Sequence, residues 1–183
     1  SISVAAGKKI IYTGSTLNIG THSLTLSGSG SFENTGSLTL NDPAGSLKLD
    51  GISEVKNISV TGDLTTGKLE ATQDSQIDTL SLSGSSRIDI ADQKTLTLAS
   101  AVEIPANKSM ELIGFGGGTI SLGDKLTLTG DMKISAADTI QGSTLVLNGG
   151  SLQVDQDTGI ASDLLHQSSS EIEVSAGKTL TYT

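Results

Sequence analysis

Apolar residues in this chain come in pairs separated by one polar residue. Leu24 and Leu26 flank Thr25, Leu47 and Leu49 flank Lys48, Ile88 and Ile90 flank Asp89, and Leu126 and Leu128 flank Thr127. A period of two belongs to a strand with one buried side, and the intervening Thr, Ser, Lys, Asp or Glu suits solvent. Helical spacing is almost absent. Most pairs end in a turn signal, as in "LTLSGSGS", "LSLSGSS", "LTLTGD" and "LVLNGG". Pairs recur roughly every seven to eight residues, so three strands make a coil of about 20 residues, a solenoid period. The spacing wanders, which predicts an all-β, right-handed parallel β-helix rather than a strict hexapeptide left-handed one. Residues 1–183 read as a single β-solenoid domain, a segment or module of a longer chain or filament.

A second phrase joins two pairs through a corner containing Lys: "ISVAAGKKIIY", "IDIADQKTLTL", "VEIPANKSMEL" and "IEVSAGKTLTY". The bend needs Gly, Ala or Asn, and the Lys stem can lie on apolar surface. The first and last copies nearly match. From Ile2 and Ile172, seven of twelve positions are identical, including the only two tyrosines, Tyr12 and Tyr182. Phrases such as "ISVAAGKKI", "KTLTLAS" and "SLTLSGSGSFENTGSLTL" resemble the β-solenoid passenger regions of bacterial autotransporters and filamentous-haemagglutinin-type surface proteins. That resemblance implies an exported, elongated scaffold and brings no catalytic motif. Two stretches break the rhythm, "ELIGFGGGTI" and "DQDTGIASDLLHQSSSE". Both read as loops or bulges leaving the stack, the second with room for one helical turn.

Composition sharpens this picture. Phe, Tyr and Trp total four, Cys is absent, Gly numbers 22, and Ser plus Thr number 49. A core without aromatic rings must be built from thin layers of Leu, Ile and Val. The net charge of −9, with its 11 basic residues scattered, argues against nucleic acid as a partner. No apolar run is long enough to span a bilayer, so no membrane insertion of this segment is expected. Lack of cysteine excludes a disulfide framework.

Candidate chemistry is sparse. Gly177, Lys178 and Thr179 spell the tail of a phosphate loop, but Ile172 stands where its first glycine belongs and "LTYT" reads as strand. "GFGGGT" has no helix after it. Asp155 and Asp157 lack the further oxygen ligands of a calcium site, and His22 and His166 are too few for zinc. Asp89 and Asp92 in "RIDIAD" are the one carboxylate pair suited to glycan acid/base chemistry. Threonines 25, 39, 97, 127 and 181 suggest an ice-binding array if they share a flat face, although Thr is also a good exposed-strand residue.

The expectation is therefore no enzyme, no cofactor and no metal. The chain reads as an extracellular or cell-surface structural or adhesive rod: a stalk, spacer or filament subunit. Carbohydrate binding or cleavage is the alternative, and ice binding a further one. Solenoid ends expose strand edges, and neither "SISV" nor "LTYT" resembles a cap. Head-to-tail self-association or neighbouring modules of the same chain are expected partners, with a host or glycan surface beside them. Phe115, Tyr12 and Tyr182 are the residues suited to touching a partner.

Overall fold

In the computed structural model, which describes residues 1–136 and 138–183, the chain winds as a parallel β-solenoid of about eight turns with about 22 residues each. No helix occurs among the described residues. Each turn lays down up to three short strands, and every strand-to-strand pairing is parallel. Three faces result. Face 1 carries nine rungs, from Ile2–Ser3 through Ser86–Ile90 to Glu171–Val174. Face 2 runs from Lys9–Tyr12 to Leu180–Tyr182, and face 3 starts at Thr16–Asn18. At the parallel rung spacing of 4.7–4.9 Å, nine rungs make a stack roughly 40 Å long.

The apolar pairs supply the core, one column per inward position. On face 1 a column runs Leu24, Leu47, Leu69, Ile88, Leu112, Ile134, Val154, Val174 by direct register. Turn length varies along it, from 19 residues between Leu69 and Ile88 to 24 between Ile88 and Leu112. Corners absorb the difference. A fully buried Leu or Ile contributes roughly 1.5–3 kcal/mol, and each rung buries its pairs only against adjacent rungs.

The Lys-containing phrase folds alike wherever it occurs. The Lys amide donates to the carbonyl three residues back, Lys8 to Ala5, Lys94 to Ala91, Lys108 to Pro105 and Lys178 to Ser175. The residue before each Lys is left-handed: Gly7, Gln93, Asn107 and Gly177, with φ of 65, 53, 61 and 74°. A single positive φ at the third turn position marks a type II-like turn. Three copies join face 1 to face 2, and the Pro105 copy joins face 3 to face 1.

Both rhythm breaks lie in the stack, contrary to the expectation of excursions. Phe115–Gly117 is a short corner between the strands Ser109–Gly114 and Gly118–Leu122. The segment expected to hold a helical turn is instead the 11-residue strand Thr158–Ser168, paired with Asp138–Asn148. Each of these two strands bends across the corner from face 2 to face 3. Register shifts between Gly142 and Thr144 and between Leu147 and Asn148 erase the period-two pattern there.

Candidate interaction surfaces

Face 1 concentrates the charge. Its outward positions stack Lys68, Arg87, Glu111, Lys133, Gln153 and Glu173 in one column, with Lys48, Glu70 and Asp89 beside them. Lys68 Nζ lies 2.7 Å from Asp89 Oδ2 and 3.5 Å from Glu70 Oε1, while Arg87 Nε lies 2.7 Å from Asp89 Oδ1. The hydrogen bond to Asp89 raises the pKa of both cations. Further along, Lys133 meets Asp155 at 3.0 Å. Asp155 is held below the usual carboxylate range, first by the Ser175 hydroxyl and then by Lys133. Lys68, Arg87 and Lys133 are thus paired with carboxylates of their own or a neighbouring rung, while Lys48 and Glu173 have no ion-pair partner among the described residues.

Asp89 is only 1% exposed, under Lys68 and Arg87, and Asp92 sits in the exposed corner turn that follows. The structure thus engages Asp89 in an ion-pair cluster rather than freeing two carboxylates for acid/base work. Between the rungs at Ser109 and Ser151 lies a shallow depression of about 430 Å³ over Met110 and Met132. Its acids are bonded too: Ser135 donates to Glu111 at 2.6 Å and Ser151 to Asp131 at 2.7 Å.

The other candidates scatter. Phe115 is 56% exposed at a face 1 to face 2 corner, Tyr12 is half-buried in the first rung, and Tyr182 is 59% exposed over Ile160 in the last. They form no common site. His22 lies near the start of the stack and His166 on face 3 of the eighth turn. Asp157 accepts the Thr179 amide at 2.9 Å, and Lys178 donates to Gln156 at 3.0 Å. No group of three or more His, Cys, Asp or Glu residues suited to a metal occurs among the described residues. Thr25 is on face 1, Thr39 and Thr127 on face 3, Thr97 and Thr181 on face 2. A threonine column that the sequence reading missed does exist on face 2, Thr95, Thr119 and Thr139, followed by Gly159 and Thr181. Its members lie 20 to 24 residues apart, so only the turn lengths reveal it.

The exposed last rung differs from the sides. Ile172 and Val174 are 40% and 39% exposed although they continue the inward columns of face 1. Charge also differs along the rod. Residues 1–32 contain Lys8 and Lys9 and no acid, whereas residues 151–183 contain Asp155, Asp157, Asp163, Glu171 and Glu173 against Lys178 alone. Comparison with family models, with curated proteins and with solved structures finds no match.

Proposed function

We propose that the chain serves as a non-catalytic structural rod, an extracellular or cell-surface stalk, spacer or filament subunit that stacks end to end. The observation that carries this reading is the unbroken parallel stack of nine face 1 rungs, whose inward columns run on through Ile172 and Val174. Continuing those columns, by a neighbouring module of the chain or by a second copy, would cover Ile172, Val174 and Tyr182 and pair the strand edges of that rung. Such edges recruit further strands. The first rung carries Lys8 and Lys9, the second carries Glu33, which pairs with Lys9, and the last two are acidic, a difference that favours head-to-tail contact over the meeting of like ends. A head-to-tail contact does not close and so builds linear assemblies. Placement outside the cell draws on the autotransporter-like phrases.

Sedimentation velocity and negative-stain microscopy of the 183-residue chain test the stacking. Particles should lengthen with concentration in steps of about 40 Å, nine rungs at the parallel spacing. Val174→Lys should abolish that growth, and dispersed particles of one length at every concentration would refute the reading. Carbohydrate binding is a second reading, favoured by the polar depression over Met110 and Met132. A glycan array with the chain and its Glu111→Gln variant reports on it.

A further inference from the structure

The strand ladder of face 3 is interrupted once, at mid-rod. Its first four strands pair in the order Thr16–Asn18, Ser37–Leu40, Ile58–Val60 and Leu80–Leu82. Pairing resumes at Val102–Ile104, but no ladder joins that strand to Leu80–Leu82. At three other levels of this face the residue after the pair donates its amide to the rung below: Thr61 to Leu40, Ser83 to Val60 and Thr129 to Ile104. The corresponding residue after Val102–Ile104 is Pro105. Proline has no N–H, so the bond to the Leu82 carbonyl cannot form. The bond that the same pattern places between the Leu80 amide and the Ala101 carbonyl, as Ile58 makes to Thr79, is also missing. A surface depression of about 430 Å³ opens there, lined by Thr79, Ser81, Leu82, Ala101, Glu103 and Pro105.

The other two faces are closed at this level. Leu69–Ala71 pairs fully with Ser86–Ile90, and the Lys68 to Asp89 ion pair crosses the same boundary. On face 2, Ser75–Ile77 pairs with Thr95–Leu98, and Asp74 accepts the Thr95 amide. Only a side-chain strap guards the open side. Asp63 accepts the Ser85 amide at 2.6 Å and Lys108 Nζ at 3.0 Å, and Ser85 Oγ accepts the Ser109 amide at 3.2 Å. Lys108 belongs to the Pro105 turn and reaches a residue 45 positions away, so the strap spans two turns.

We infer that the rod has a built-in joint between its fourth and fifth rungs, hinged along faces 1 and 2, opening on face 3 and latched by Asp63, Ser85 and Lys108. A surface rod with such a joint flexes at one place near its middle rather than along its whole length. The inference stands apart from end-to-end stacking, because it concerns a single copy.

Amide hydrogen exchange followed by NMR tests it. Leu80, whose amide lacks the Ala101 carbonyl, should exchange at least about 10-fold faster than Ile58, whose amide is bonded to Thr79, the factor that a missing backbone bond supplies. Pro105→Ala restores the donor, and Ala5, Ala91 and Ser175 occupy the same turn position in the other copies. In that variant the amide of residue 105 should itself be protected by the Leu82 carbonyl, and closure of the ladder should slow Leu80 by about the same factor. Lys108→Gln should speed the Leu80 amide selectively. Equal protection in the unmodified chain overturns the joint, an unchanged rate in Pro105→Ala overturns its assigned cause, and an unchanged rate in Lys108→Gln overturns the latch.

Discussion

The Asp89 carboxylate, on the outer side of face 1, lies 2.7 Å from the Lys68 ammonium of the preceding turn and is nonetheless almost fully buried. The stems of Lys68 and Arg87 cover it while their charged heads keep partial contact with water. Removing the carboxylate would leave two cations facing each other. Asp89→Ala should therefore cost about 2–3 kcal/mol, less than a fully buried pair, because the Lys68 and Arg87 side chains retain 29% and 36% exposure. Thermal melts check this, and a loss near zero would show the cluster to be ornamental.

Inward and outward positions should separate cleanly in mutational cost. Leu126 is fully buried in the face 3 column, and Thr127 next to it points outward. Leu126→Ala should lose about 2–5 kcal/mol, whereas Thr127→Ala should stay within about 0.5 kcal/mol. The pair Leu96 and Thr97 on face 2 should repeat the contrast. Circular dichroism melts of all four variants decide it, and equal losses would invalidate the inside/outside assignment.

The period-two pairs were readable because each occupies a strand, on face 1 at Leu47/Leu49, face 2 at Leu96/Leu98 and face 3 at Leu126/Leu128. Face 2 was the least legible, since it turns polar residues inward. Asn34 is buried there and bonds the Lys56 carbonyl, and Ser75 is buried against the Gln73 carbonyl. Neither forms an apolar pair. The strand Thr158–Ser168 was misread because its bend and the register shift shared with its neighbour break the alternation. Asp89 looked like a solvent-side residue, and its burial depends on Lys68, 21 residues away. Pro105 was visible from the start, but its effect appears only once the rungs above and below are known. No local pattern encodes inter-rung register; turn lengths do, and those vary from 19 to 24 residues.

Acid should destabilise the rod through particular carboxylates. Asp63 is held below its ordinary pKa, chiefly by the Ser85 amide and then by Lys108, and Asp155 by the Ser175 hydroxyl and then Lys133. Near the ordinary aspartate value of about 3.9 the unfolded chain binds more protons than the folded one. Their contribution is thus fully present above that value and lost as pH falls through the lower folded values. At the alkaline end the signs reverse. Lys9, Lys68 and Lys133 are raised by their carboxylate partners, so their contribution holds below about 10.4 and fades as pH rises through the raised values. Melting temperature against pH should show both limbs. Asp155→Asn should flatten the acid limb, and an unaltered limb would contradict the assignment.

Glycines at the corners serve two different needs, and substitution should tell them apart. Gly7 has φ of 65°, and a β-carbon there would meet nothing within 4 Å. Its counterparts Gln93 and Asn107 hold the same left-handed conformation with side chains attached. Asn tolerates that region better than most residues, so Gly7→Asn should cost well under about 1 kcal/mol. Gly36 is not among the residues with positive φ, yet a β-carbon on it would run into the Ser15 carbonyl of the turn below. Rungs cannot separate there without giving up the bond from the Ser37 amide to that same carbonyl. Gly36→Ala should therefore cost about 1–3 kcal/mol, the range of an overpacked site. The ranking in urea melts, Gly36→Ala well below Gly7→Asn, is the check, and the reverse order would mean that φ rather than backbone proximity governs these corners.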